Sequence, residues 1–159
     1  MRVYLGLGAN LGDRKENIVS ALRALKEALG VDYSRISSIW ETEAWGFEGD
    51  DFLNLVVCYD LPAFTSGEKA PELLKICKEI ERTIGRTQKE LEYDEDGKRV
   101  YENRLIDIDI LFFGNVRLNT EALTIPHPLI AQREFVMKPL LEIADDEVKA
   151  CFPEIFEQK

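Results

Sequence analysis

Between Leu105 and Phe113 the chain reads L-I-D-I-D-I-L-F-F, with Ile106, Ile108 and Ile110 alternating with Asp107 and Asp109. A period of two specifies a strand, because a helix repeats its faces every 3.6 residues. The strand has one face for a core and another with two carboxylates about 6.6 Å apart along the backbone. Asp is depleted in strands, and like charges on one face repel. Two readings follow. One is a half-solvated edge strand with its polar side in water. The other is a metal site, since carboxylates so spaced can converge on two ions ~3.5–4 Å apart, the geometry of two-metal phosphoryl transfer.

The rest of the chain fits around such a strand. Arg2 to Leu7 alternates as a strand and meets a turn at Gly8–Gly12. Asp13 with Glu16 makes a capping-box-like helix start, Ile18, Leu22, Leu25 and Leu29 keep helical spacing, and Gly30 supplies the stop. Tyr33 to Thr42 and Phe52 to Leu61 read as strands. A second helix begins near Pro71, carries Leu73, Leu74, Cys77, Ile80 and Ile84, and is expected to end by Gly85. Gly114-Asn115 signals a turn that starts a hairpin with Val116 to Leu118, and Met137 to Ala144 is a short helix. The order strand, helix, strand, strand, helix, strand predicts an α+β chain, a ferredoxin-like βαββαβ sandwich with a mostly antiparallel sheet and helices on one face. Two stretches, 43–51 and 86–103, fit no element, and loops of that length in a compact domain are often functional lids.

Composition limits the partners. The chain has 159 residues, 30 acidic and 20 basic, for a formal charge of −10. That length suits a single domain spanning 1–159. Duplex nucleic acid and anionic membranes reward surplus positive charge, so neither is the expected partner. No run approaches the ~20 apolar residues of a membrane span, and the N-terminus lacks the pattern of a signal peptide, so a cytoplasmic protein is expected. One histidine, His127, and three cysteines without C-x-x-C spacing leave no zinc motif and no disulfide framework. Cys58 and Cys77 sit in apolar runs and read as buried thiols. A metal here would be a hard cation on oxygen, with Mg²⁺ first.

Further candidates surround the acidic strand. Arg86, Arg104 and Arg133 offer guanidinium forks that match phosphate oxygens, and Arg104 precedes Asp107 by three residues; ordinary surface arginine is the alternative for each. The stretch from Arg86 to Arg104 holds five basic and six acidic residues, so a lid would depend on placement and not bulk charge. Thr42, Trp45, Phe52 and Asn54 form a pocket candidate in which an aromatic face beside an amide suits a flat hydrogen-bonding heterocycle; Phe135 either stacks from the other side or joins Phe52 in the core. Gly6-x-Gly8-x-x-x-Gly12 misses the dinucleotide fingerprint, and no P-loop is present.

Taken in order, Gly6-Leu7-Gly8-Ala9-Asn10-Leu11-Gly12-Asp13, Phe52-Leu53-Asn54, Glu81 to Arg86, Arg104-Leu105-Ile106-Asp107-Ile108-Asp109-Ile110-Leu111, Leu123-Thr124-Ile125-Pro126-His127-Pro128 and Arg133-x-Phe135-Val136 resemble the 6-hydroxymethyl-7,8-dihydropterin pyrophosphokinases of folate biosynthesis. The resemblance covers essentially the whole chain. It implies a ferredoxin-like fold with mobile catalytic loops, pyrophosphate transfer from ATP to the pterin hydroxymethyl group with release of AMP, and two Mg²⁺ ions held by Asp107 and Asp109. It implies that Phe52 and Phe135 sandwich the pterin, that Asn54 and Thr42 bond its edge and that Trp45 covers it. Glu81, Thr124 and His127 would contact ATP, with Arg86, Arg104 and Arg133 around the triphosphate and Leu74, Lys78 and Ile110 lining the nucleotide site. Glu43, Gln88, Tyr101, Glu102 and Asn103 depart from the common family pattern.

The expected chemistry is an in-line displacement at the β-phosphorus, with ATP and the pterin as the partners of a monomer. A non-catalytic ligand-sensing module and a pterin aldolase are the rival readings. The first predicts no paired acids beside arginine, and the second needs neither Mg²⁺ nor ATP.

Overall fold

The computed structural model describes residues 1–42, 51–87 and 105–157. Strand β1 (Arg2–Ala9) leads into helix α1 (Arg14–Leu29), followed by β2 (Arg35–Ile36), β3 (Trp40–Thr42), β4 (Phe52–Asp60) and α2 (Ala70–Thr87). Then come β5 (Asp107–Phe113), β6 (Leu118–Asn119), β7 (Thr124–Ile125) and helices α3 (Glu134–Ile143), α4 (Asp146–Cys151) and α5 (Pro153–Phe156). The main sheet runs β2-β4-β1-β5, with β3 also paired to β4, and every pairing is antiparallel. This is an α+β architecture. Among the described residues no helix is long and apolar enough to cross a membrane.

The local signals at α1 act as read. Asp13 Oδ1 accepts the Glu16 N–H at 3.1 Å, and Gly30 closes the helix at φ 73°, a left-handed conformation that favours a residue without Cβ. Helices α1 and α2 cover one face of the sheet. Val3, Leu5 and Leu7 of β1, Leu55 and Val57 of β4, and Ile108 and Ile110 of β5 meet Leu25, Leu73 and Cys77 there.

The sheet is covered on both faces, not one. Tyr4, Val56, Cys58, Leu111 and Phe112 form a second apolar surface, and Leu140, Ile143, Val148 and Phe152 of the C-terminal segment bury it. A bulge helps: Leu5 pairs with Ile110 but Tyr4 with Phe112, so Leu111 is the extra residue. Before it the even-numbered residues of β5 face α1 and α2; after it Phe113 does, and both Leu111 and Phe112 join the second core.

Other boundaries also differ from the reading. Tyr33 to Thr42 is two short strands, because the Ser37 hydroxyl, not a backbone carbonyl, accepts the Val56 N–H at 2.9 Å. Helix α2 runs through Gly85 to Thr87, a helix glycine costing only about 1 kcal/mol. The Gly114-Asn115 turn forms, with Val116 N–H on Phe113 O at 3.1 Å, but no hairpin with β5 follows. Arg117 instead docks on the C-terminal helices, 4.6 Å from the Phe152 ring centroid and bonded to Glu154, and β6 pairs with β7. The predicted helix at Met137 starts earlier, at Glu134. Cys58 and Cys77 are buried, and burial pushes the Cys77 thiol up to about 12.

Candidate active site

The second face of the sheet carries the candidate residues where the C-terminal helices stop. Tyr4, Val56 and Leu111 mark that face, and alternation puts Gly6, Gly8, Asn54, Asp107 and Asp109 on it too. Register aligns Asn54, Gly8 and Asp107 in one row across β4, β1 and β5, and Val56, Gly6 and Asp109 in the next. The central strand thus contributes no side chain between the Asn54 amide and the two carboxylates. Besides missing the dinucleotide fingerprint and opening the family's first motif, Gly6 and Gly8 carry a further signal in their spacing of two, which leaves one face of a strand bare.

Asn54 is buried, and its Nδ2 donates to Thr42 Oγ1 at 3.3 Å. Pairing of β3 with β4 sets this contact, with Trp40 opposite Asn54 and Thr42 opposite Phe52. Phe52 is half-buried beside them, and Phe135 is half-buried on the first turn of α3 with the Arg133 guanidinium 5.6 Å from its ring centroid. Neither ring belongs to either core cluster.

Asp107 and Asp109 are half-buried together. Burial, then the neighbouring Asp107 charge, pushes the Asp109 carboxyl up to about 7, with Arg133 and Lys78 pulling it back. Glu81 of α2 reaches the outer edge of β5. Its Oε2 accepts the Ile108 N–H at 2.8 Å, and its Oε1 lies 3.5 Å from Lys78 Nζ. Burial holds this carboxyl above its usual range too, and Asp107 adds to the shift. Among the described residues β5 is an edge strand, and its outward Ile108 N–H is capped by an acid.

His127 is fixed beside the pair. Its N–H donates to Leu111 O at 3.1 Å, and its Nδ1 accepts the Leu129 N–H at 3.2 Å. Nε2 lies 3.9 Å from Asp109 Oδ2, too far for a hydrogen bond. Burial, then the Arg133 charge, holds the imidazole below its usual range. The neutral form of the ring is thereby favoured, and in it the accepting Nδ1 leaves the proton on Nε2.

Carboxylate oxygens are the donors a hard cation takes, and a cation between Asp107 and Asp109 would remove the repulsion that raises Asp109. Among the described residues no three Asp, Glu, His or Cys side chains gather into a cage. The remaining positions would fall to water and phosphate oxygens, as is usual for Mg²⁺.

Other predicted residues are placed differently. Ile110 is buried in the core under α1 and α2, and Leu74 packs against that core, so neither side chain lies on the face of the acids. The Thr124 hydroxyl is engaged by Asn119 Oδ1 at 3.2 Å. Arg86 lies on the last turn of α2. Trp45, Arg104, Glu43, Gln88, Tyr101, Glu102 and Asn103, and the expected lids at 43–51 and 86–103 save residues 51, 86 and 87, lie outside the described residues.

A paired acid, a phosphate-matching arginine and a neutral imidazole across a bare strand from a hydroxyl–amide pair suit cation-assisted phosphoryl transfer to a flat polar heterocycle. The chain belongs to the 7,8-dihydro-6-hydroxymethylpterin-pyrophosphokinase family, whose model matches residues 4–145. It is similar to the 2-amino-4-hydroxy-6-hydroxymethyldihydropteridine pyrophosphokinase of Aquifex aeolicus, 41% identical over 151 residues covering 94% of this chain and 84% of that one. The enzyme of the same name from Porphyromonas gingivalis is 42% identical over 144 residues, 89% of this chain and 90% of its own. That of Bacillus subtilis is 34% identical over 147 residues, covering 92% and 80%.

Proposed function

We propose that this chain transfers pyrophosphate from ATP to the hydroxymethyl group of 6-hydroxymethyl-7,8-dihydropterin and releases AMP, a step of folate biosynthesis. Membership of the pyrophosphokinase family carries the reading, and the row Asn54–Gly8–Asp107 supports it by setting a heterocycle-binding amide and a cation-binding acid on one face. The sensing and aldolase readings leave the acid pair without a task.

The pterin hydroxyl oxygen attacks the β-phosphorus in line, the bond to the α-phosphate oxygen breaks, and AMP leaves. Asp107 and Asp109 would hold two Mg²⁺ ions, which when bound lower the phosphate charge and favour loss of the hydroxyl proton. Asn54 and Thr42 orient the pterin edge, with Phe52 and Phe135 on its two faces and Trp45 over it. The half-buried rings of Phe52 and Phe135, which belong to neither core, suit that task. Arg133, Arg86 and Arg104 hold phosphate oxygens, and the neutral His127 offers its Nε2 proton to another. Glu81, Lys78, Thr124, Leu74 and Ile110 flank the nucleotide, Ile110 by its backbone. The protein supplies position and charge, and no covalent intermediate is needed.

The chain forms a ferredoxin-like sandwich in a single domain, 1–159, a proposal that the β2-β4-β1-β5 order with α1 and α2 on one face supports. The stretches 43–51 and 88–103 would serve to cover the bound substrates. The protein works in the cytoplasm as a monomer, with ATP and the pterin as partners and no nucleic acid or membrane, in keeping with its charge of −10.

Incubation with ATP, Mg²⁺ and 6-hydroxymethyl-7,8-dihydropterin is expected to yield AMP and the pterin diphosphate. ADP, or no nucleotide product, would defeat the proposal.

A further inference from the structure

The two walls assigned to the pterin come from distant parts of the chain. One is Thr42 and Asn54, on β3 and β4; the other is Phe135, on the first turn of α3. At the far end of α3 the Glu142 carboxylate reaches back to β3. Its Oε1 accepts the Ser38 N–H at 3.0 Å, both of its oxygens lie within 2.9 Å of the Ser38 hydroxyl, and its Oε2 accepts the Trp40 indole N–H. Lys138, one turn earlier, places its ammonium 5.8 Å from the Trp40 ring centroid. Trp40 pairs with Asn54 across the ladder, so it shares a face with the amide that meets Thr42.

We propose that Glu142 is a positioning residue for the pterin: its bonds to Ser38 and Trp40 set the separation between the Thr42–Asn54 wall and the Phe135 wall. The proposal rests on the pyrophosphokinase reading. Four observations carry it. The carboxylate is satisfied by donors from one short segment, 38–40, on the wall opposite its own helix. Those donors are charge-assisted and directional, which fixes a distance as packing alone does not. Lys138 and Glu142, spaced i and i+4 on one helix face, address the same indole, so the helix is set in rotation as well as in distance. Among the described residues no bond of this contact reaches the acid pair or His127, so its loss should fall mainly on the pterin, with a smaller effect on ATP through Arg133 at the start of the same helix.

The carboxylate is exposed, so its loss is expected to leave the protein folded. Steady-state kinetics on the whole chain, with ATP and 6-hydroxymethyl-7,8-dihydropterin varied separately, test the assignment. Glu142→Ala is expected to raise the pterin KM about tenfold, with the ATP KM and kcat within about twofold of the unmutated chain. Glu142→Gln keeps an acceptor oxygen and is expected to recover most of the pterin KM. Trp40→Phe, which keeps both Ser38 bonds, should shift the same constant about threefold.

An unchanged pterin KM in Glu142→Ala, or equal rises in both KM values, would overturn the assignment. Should Glu142→Ala fail to fold, Trp40→Phe decides, and an unchanged pterin KM there counts against the proposal. If the unmutated chain makes no AMP, the pyrophosphokinase reading itself fails and this inference falls with it. If AMP is made and only the variants disappoint, the inference alone fails.

Discussion

A Cβ at Gly8 would stand 2.7 Å from the Asn54 side-chain oxygen. The absence of a side chain at residue 8 is what lets the Asn54 amide lie over β1 and donate to Thr42. Gly8→Ala is therefore expected to displace the amide, raise the pterin KM about tenfold or more and destabilise the fold by about 1–3 kcal/mol. Gly6→Ala is the control, because its Cβ would meet Leu111 at 3.5 Å, an ordinary contact. Equal effects of the two substitutions on the pterin KM would show that clearance for Asn54 is not the cause.

Removing one charge of the acid pair should separate activity from stability. Asp109→Asn is expected to lower AMP formation about 10³-fold or more. In buffer free of divalent cations it should melt higher than the unmutated chain, because burial and the Asp107 charge oppose ionisation of Asp109. Mg²⁺ should raise the melting temperature of the unmutated chain and barely move that of the variant. Near-normal turnover at moderate Mg²⁺ would defeat the two-acid assignment.

The same carboxyl sets a pH dependence. In the unfolded chain Asp109 loses its proton near 3.8, whereas in the fold it holds it to about 7. Between those values the native state binds more protons, so Asp109 makes stability fall as pH rises through that window. His127 acts with opposite sign: its folded value is depressed, so its contribution is lost as pH falls below 6.5. Thermal melts from pH 4 to 8 without divalent cations, compared with Asp109→Asn, isolate the carboxyl. The variant should keep only the shallower fall left by Glu81, whose carboxyl is also held above its usual range. Mg²⁺ affinity should rise with pH over the same range, since proton and cation compete for Asp109.

Glu81 caps the edge of β5, and its substitutions should split. Glu81→Ala strands the Ile108 N–H and is expected to cost about 1–3 kcal/mol. Glu81→Gln keeps an acceptor and removes a charge that Asp107 repels, so its melting temperature should stay at or above that of the unmutated chain. Lys78→Ala, which removes an exposed ammonium 3.5 Å from the half-buried Glu81 carboxylate, should cost less than Glu81→Ala. Denaturant titrations of the three variants check the order.

Much of this was legible locally. The alternation of Ile106 to Ile110 assigns β5 and its two faces, and Asp13, Glu16 and Gly30 assign the ends of α1. These signals depend on neighbours a few residues away, where spacing alone decides which side chains share a face. The break at Ser37 was not legible, because it depends on a hydroxyl meeting an N–H on β4. The second layer of helices was missed as well. Its demand arises only when Tyr4, Val56 and Phe112 from three strands are assembled into one apolar surface.

The sequence by itself determined that two carboxylates point one way from one strand, that an aromatic and an amide share another, and which family owns that order of motifs. Tertiary structure alone decided that these face each other across β1, that Gly6 and Gly8 leave the space between them bare, and that Glu142 ties the walls. The physical reason is register. Spacing along a chain fixes the face of a side chain, but only the hydrogen-bonded pairing of β4, β1 and β5 fixes which faces meet.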